Sequence, residues 1–354
     1  MNRLRMFQDA LKRREIDGAL ITDEVSIFYL CGYQFSDGYL LITQEKGYLV
    51  TDFRYYEEAS ALVDKVFSVE MPQNRLDFLT TTVKKEGLRT IGYENRTLSV
   101  SDFHFYSDVI SAECIPIGDI LVEMRLIKDD FEIEQIKAAQ NITDKAFTHI
   151  LAMMTPKMTE KEVALELEFF MRREGAERAS FEIIAVSGAS SALPHGKCRN
   201  QKLSSGFLTM DFGCTVGGYC SDMTRTVVIG KADGEMKRLY QTVLDAQMAA
   251  LAQIGPGKTG AEIDGIARSL IDNAGYMGAF GHGLGHGVGL YIHEAPSLSA
   301  RAAEYKLQKG NVVTVEPGIY LMGKYGCRIE DMGAITANGF DNFTHSTKEC
   351  IELF

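Results

Sequence analysis

Apolar residues recur at near-helical spacing over residues 2–16 (Leu4, Phe7, Leu11, Ile16), and a short apolar run over 19–22 follows, bounded by Gly18 and Asp23. That pattern predicts a helix and then a strand. β-Rich runs cover 25–33, 39–43 and 48–51, while 54–62, 76–85 and 101–110 carry helical patterns around a strand at Thr90–Tyr93. An α/β domain ending near residue 120 accounts for the alternation. Asp129 and Asp130 then open a long amphipathic helix reaching about Met153. Thr159 starts another through 174, with Glu162 three residues on completing a capping box. From Phe181 the pattern changes to β-runs (183–186, 207–212, 219–229, 311–321, 327–335), interrupted by helices over roughly 233–253 and 260–274. This second domain is α+β, and its two sets of helices, each with a β-hairpin, predict two related halves.

Composition narrows the function. The 354 residues are 45% hydrophobic and 24% charged with only 7 Pro, which fits globular domains and excludes disordered or collagen-like classes. A net charge of −11 gives no electrostatic footprint for nucleic acid or an anionic membrane, so the expected partners are small molecules or peptides. The first residues alternate charge too often for a secretory signal, and no apolar run approaches the ~18 residues of a membrane span. A soluble, cytoplasmic protein is expected. Seven cysteines without a C-x-x-C pair read as reduced thiols, and Cys214, Cys220 and Cys327 read as small buried hydrophobes.

The candidate chemistry lies in two hairpins and a glycine-rich segment. Around a turn at Thr215, Val216, Gly217 and Gly218, a symmetric hairpin pairs residues whose numbers sum to 433, and Asp211 with Asp222 meets that sum. A second turn centred on Gly323 pairs residues summing to 646, which brings Glu316 opposite Glu330. Directly opposed carboxylates, with Cβ atoms ~5 Å apart, are destabilising unless a cation sits between them. In GHGLGHGVGL, residues 281–290, glycines at period two leave one face of an extended chain bare for a neighbouring backbone or a substrate. Such a chain separates His282 from His286 by ~13 Å at ~3.3 Å per residue. One metal ligand and one substrate-facing histidine are therefore expected. Four carboxylates and an imidazole form a hard donor set for two divalent ions, manganese first, with cobalt, zinc or iron as alternatives. Such a pair, ~3.5–4 Å apart, can share a hydroxide and polarise a carbonyl, which is hydrolytic chemistry.

The segments MDFG (210–213), SDMTRT (221–226), HGLGHGVGLYIHEAP (282–296), VEPGIY (315–320) and CRIED (327–331) together resemble the metallopeptidases of pita-bread fold, in their Xaa-Pro aminopeptidase and prolidase branch. The resemblance implies a creatinase-like α/β N-terminal domain over 1–122. It implies an α+β pita-bread catalytic domain with internal pseudo-twofold symmetry over 128–354. As metal ligands it implies Asp211, Asp222, His286, Glu316 and Glu330, with Asp222 and Glu330 bridging two ions and Glu316 also the general base. His195 and His293 match substrate-positioning histidines at the reacting bond, and His282, Tyr320 and Arg328 match residues around a proline pocket. The implied activity is a dinuclear-metal exopeptidase removing an N-terminal residue before proline, with a metal-bridging hydroxide as nucleophile, in a homodimer.

Two alternatives stand beside it. A strict Xaa-Pro dipeptidase would need a further cation for the substrate's free carboxylate, from Arg328 or from an arginine of a partner subunit. A non-catalytic peptide- or histone-binding relative would have replaced ligands, whereas all five are present here.

Overall fold

Asn2 accepts a hydrogen bond from the Arg5 amide and starts helix α1 (Arg3–Arg13), whose Leu4, Phe7 and Leu11 are buried. The computed structural model describes residues 2–354, and the chain divides into two units, the first ending at Met124 and the second beginning at Arg125. The first continues through β1 (Gly18–Ile21), α2 (Glu24–Cys31), β2 (Tyr39–Thr43), β3 (Gly47–Val50), α3 (Phe53–Leu62), β4 (Phe67–Glu70), α4 (Arg75–Lys85), β5 (Thr90–Tyr93), α5 (Val100–Val109) and β6 (Glu113–Pro116), and α6 (Ile120–Leu126) runs across the boundary. Its sheet has the order β4-β3-β2-β1-β5-β6, with β1, β5 and β6 parallel and β2 antiparallel to its neighbours.

Residues 25–33, expected to be extended, are helical instead. Asp23 accepts from the Ser26 amide at one end, and Gly32, at φ 72°, terminates the helix at the other. Ile27, Tyr29 and Leu30 are buried, and a short run of apolar residues does not by itself distinguish a buried helix from a buried strand. Strands β4 and β6 escaped the pattern because they are the two edges of the sheet, where partly exposed residues blur alternation.

The second unit repeats one design. Its first half has α7 (Asp130–Met153), α8 (Glu160–Arg173), β7 (Arg178–Ala179), β8 (Ile184–Ser187), β9 (Gly206–Phe212), β10 (Cys214–Val216), β11 (Tyr219–Cys220) and β12 (Met223–Ile229). The second half has α9 (Gly234–Gln253), α10 (Gly260–Ile271), β13 (Gly285–Gly287), β14 (Glu294–Leu298), β15 (Val312–Val315), β16 (Gly318–Leu321), β17 (Tyr325–Arg328), β18 (Asp331–Ile335) and β19 (Phe340–Asn342). Strand β20 (Glu352–Leu353) returns to pair with β12. Helices α8 and α10 both begin with a Thr–Glu capping box, Thr159 with Glu162 and Thr259 with Glu262. Each capping threonine also bridges to a lysine, Lys202 and Lys306 respectively. The sheets are β20-β12-β9-β8 and β14-β13-β15-β18-β19.

Strand period places the site. On β9, Leu208, Met210 and Phe212 pack with Phe147, Val163 and Leu167 of α7 and α8, so Asp211 turns to the opposite face. On β15, Val313 and Val315 pack with Val243 and Ile263 of α9 and α10, leaving Thr314 to the other side. Each fully buried aliphatic chain contributes roughly 1.5–3 kcal/mol, so these two cores anchor the carboxylate-bearing strands. All seven cysteines are free thiols, and no helix among the described residues is long and apolar enough to cross a membrane.

Candidate active site

The first hairpin forms with a different register from the expected one. Gly217 and Gly218, at φ 56° and 80°, make a two-residue turn, and the flanking pairs are Val216 with Tyr219 and Thr215 with Cys220. Asp211 therefore lies opposite Thr224, not Asp222. Two consecutive glycines at positive φ match the twist of the strands, so the turn contracts onto them and each partner moves by two residues. A two-residue shift preserves the face, and both aspartates line one cavity of about 570 Å³.

The second hairpin keeps the expected register, with Gly318 opposite Arg328 and Val315 opposite Asp331. Glu316 and Glu330 lie between these ladders and bond elsewhere. Glu316 N donates to Leu284 O at 2.8 Å, and Glu330 N donates to Thr224 O at 3.1 Å. Thr224 Oγ1 also donates to Glu330 Oε2 at 2.7 Å. Thr224, on the strand opposite Asp211, thus ties the two hairpins together.

The glycine segment is non-helical, as expected, and its bare face is used for backbone contact. A Cβ on Gly285 would lie 2.1 Å from Thr314 O, and one on Gly287 would lie 2.4 Å from Ala295 O. This close packing seats His286 against the carboxylates: its Nε2 is 3.4 Å from Glu316 Oε1 and 3.6 Å from Asp222 Oδ2. Its Nδ1 donates to Gly287 O at 3.0 Å, leaving Nε2 as the free lone pair. Single ligand atoms of Asp222, His286 and Glu330 all lie within 4.8 Å of one another.

His282 stands apart from that group. Its Nε2 meets Tyr320 OH at 2.9 Å, and the same hydroxyl accepts from Arg328 Nη1 at 2.8 Å. Tyr320 is a buried brace behind His282 and Arg328, which themselves line the cavity. Arg328 Nη2 donates to Asp211 Oδ2 at 2.6 Å. His293 lies against His286 with ring centroids 4.2 Å apart and the rings tilted by 55°, and His195 is exposed on the cavity wall.

The electrostatics show strain that a cation would relieve. Burial, reinforced by neighbouring carboxylates, pushes Asp222 and Glu330 well above the usual carboxyl range, and burial pushes Glu316 up to about 8. Burial holds His286 and His293 below the usual imidazole value and takes His282 down to about 4. Asp211 Oδ1 is buried without a hydrogen-bond partner among the described residues. An orphaned oxygen, crowded carboxylates and an oriented imidazole fit divalent metal ions. Burial also raises the Cys214, Cys220 and Cys327 thiols, as suits inert hydrophobes.

Sequence reasoning missed Thr224, Thr314 and Arg225. Thr314 Oγ1 accepts from His286 N and donates to Glu316 Oε1 at 3.2 Å. Arg225, 1% exposed, donates to Glu330 O, to Asp331 Oδ1 and to three further carbonyls. An arginine as the one charged residue of a β-rich run, Met223–Ile229, was the available signal.

Paired carboxylate hairpins, a histidine strand and two half-repeats define a metal-dependent hydrolase of this architecture. The chain belongs to metallopeptidase family M24, whose model matches residues 134–337, and a creatinase/prolidase N-terminal domain model matches residues 3–127. Its second unit is therefore the pita-bread catalytic domain of that family, following a creatinase-type first domain. It is 43% identical over 340 residues to an uncharacterised peptidase of Bacillus subtilis, covering 96% of each chain. It is 36% identical over 347 residues to an Xaa-Pro dipeptidase of Pyrococcus horikoshii, again covering 96% of each. Among solved structures it resembles an Xaa-Pro dipeptidase from Bacillus anthracis (TM-score 0.96, 41% identity, 99% of each chain). It also resembles an X-Pro aminopeptidase from Thermotoga maritima (TM-score 0.92, 38% identity, 98% of this chain and 100% of that one).

Proposed function

We propose that this metallopeptidase is an exopeptidase for the Xaa-Pro bond at the N-terminus of peptides. The observation that carries the reading is the convergence of Asp211, Asp222, His286, Glu316 and Glu330 on one cavity, with Asp211 Oδ1 unpartnered. These five residues would hold two divalent ions, manganese first. Such ions supply, when bound, an acidified water and a polarised carbonyl.

The chain's own residues do the rest. Thr314 occupies Glu316 Oε1, so Glu316 Oε2 is the atom that takes a proton from the attacking water and passes it on. Burial keeps His293 neutral, so one ring N–H can support the developing oxyanion. His282 and Arg328, braced by Tyr320, form a stiff wall for the proline ring, which brings no amide N–H and asks for no acceptor.

A dipeptidase reading has equal support, because the names of both archaeal and Bacillus relatives carry it. A cytoplasmic homodimer completes the proposal and is tested by sedimentation and fractionation. The decisive experiment is hydrolysis of Xaa-Pro and Xaa-Pro-Yaa in Mn²⁺ and after chelation, with products identified by mass. Metal-dependent release of Xaa is expected, and Glu316→Gln should abolish it. Full activity in that variant removes Glu316 as base and ligand, and no cleavage of either peptide removes the Xaa-Pro assignment.

A further inference from the structure

Two basic side chains of the Lys/Arg type line the catalytic cavity among the described residues, Arg328 and Lys197, and they are in opposite states. The Arg328 guanidinium is committed to the protein. Its Nε donates to Thr224 Oγ1 at 3.0 Å, its Nη1 to Tyr320 OH and Pro194 O, and its Nη2 to Asp211 Oδ2 at 2.6 Å. With its fork occupied and its charge matched by a carboxylate, it has little to offer an incoming anion. Lys197 is exposed, and its ammonium makes no hydrogen bond or ion pair among the described residues.

The backbone beneath Lys197 is nevertheless fixed on both sides. Gly196 N donates to Leu193 O at 3.0 Å. Cys198 Sγ accepts from Ala185 N at 3.1 Å and donates to Ile183 O at 3.2 Å. Arg199 is held by the fully buried Glu160 through Nε at 2.8 Å and Nη2 at 2.6 Å. A free cation on a rigid base therefore stands two residues from His195, on the wall of the same cavity.

Its chemical counterpart follows from the substrates. In an Xaa-Pro dipeptide the proline itself ends in a carboxylate. In a longer peptide that carbon is a neutral amide, and the charge moves away by ~3.3 Å per added residue. Two divalent ions would balance Asp211, Asp222, Glu316 and Glu330, and Arg328 is already engaged, so the one cation of the cavity lining left for an incoming anion among the described residues is Lys197, with Glu182 as the remaining lining carboxylate. Resting on the Xaa-Pro reading, we propose that Lys197 is the specificity-determining residue that receives the free carboxylate of an Xaa-Pro dipeptide and biases this chain toward dipeptides.

The test compares kcat/KM for Ala-Pro and for Ala-Pro-amide, which differ in that charge alone, in the Mn²⁺-loaded wild type and in Lys197→Met and Lys197→Arg. Expected is a wild-type preference for the acid that falls about fivefold in Lys197→Met, the worth of an exposed ion pair. The loss should sit in KM, be restored by arginine, and shrink in the wild type as salt rises. An acid-to-amide ratio that ignores residue 197, or a wild type that prefers the amide, overturns the assignment and leaves the Xaa-Pro reading standing. Cleavage of neither substrate by the wild type removes that reading and this assignment with it.

Discussion

Arg225 offers the sharpest test of how the site is held. All its N–H donors are used: Nε to Thr347 O (2.9 Å), Nη1 to Thr224 O (3.0 Å) and Glu330 O (2.5 Å), and Nη2 to Asp331 Oδ1 and Ser346 O (2.8 Å each). In Arg225→Met the stem remains and the fork is lost. The Ser346 and Thr347 carbonyls lie in a half-exposed stretch that water reaches, so the cost concentrates on Glu330 O and on the fully buried Asp331. Breaking a buried ion pair costs about 3–5 kcal/mol. Lys348 Nζ at 2.7 Å and Asn342 Nδ2 at 2.8 Å still reach Asp331 Oδ2, which places the expected loss at the lower end, about 3 kcal/mol. At roughly 2–4 °C per kcal/mol for a unit of this size, the thermal midpoint should fall by about 6–12 °C. The assay is calorimetry of chelated protein, repeated with Mn²⁺, and the Mn²⁺-induced rise should also shrink because Glu330 loses its backbone anchor. A double-mutant cycle with Asp331→Asn should show coupling of about 2 kcal/mol. Additive losses, or a midpoint within about 2 °C of wild type, would refute the clamp.

Gly285→Ala should cost about 1–3 kcal/mol and weaken metal retention, because the new Cβ would meet Thr314 O at 2.1 Å; Gly234→Ala, where nothing lies within 4 Å, is the control that should leave both unchanged. Removing metal should lower the midpoint reversibly, since a ligand at a hundred times its Kd stabilises by about 2.7 kcal/mol, and Mn²⁺ should restore it; a midpoint indifferent to chelation counts against the metal site. Glu160 is the pH probe: burial would raise its carboxyl, but Arg199 and the Ser187 amide more than offset this and hold it below its ordinary value. A depressed folded pKa gives stability above the unfolded value of about 4.3 that is lost as pH falls through the folded value. Glu160→Gln should therefore be less stable at pH 7 by about 1.5–3 kcal/mol, with the gap closing in acid, whereas parallel urea midpoints from pH 7 to pH 3 would disprove the linkage.

Local signals carried a large part of this protein. The Thr159–Glu162 capping box and the Gly323 turn act through neighbours a few residues apart, and the structure has both where the sequence placed them. The alternating glycines of 281–289 likewise announced a backbone that others approach closely, as Thr314 and Ala295 do. The five residues that the resemblance implied as ligands do stand around one cavity. Tertiary structure decided what depends on partners far along the chain. The run at 25–33 could be strand or helix, and burial on several sides made Glu24–Cys31 helix. Two adjacent glycines chose the register of the first hairpin, exchanging Asp222 for Thr224 opposite Asp211. Thr224 meets Glu330, and Arg225 meets Asp331, across 106 residues each. The sequence marks Arg225 as unusual in its strand but carries no mark of its partner, because the free energy of the pairing exists only once both strands are buried together and neither can be left without the other.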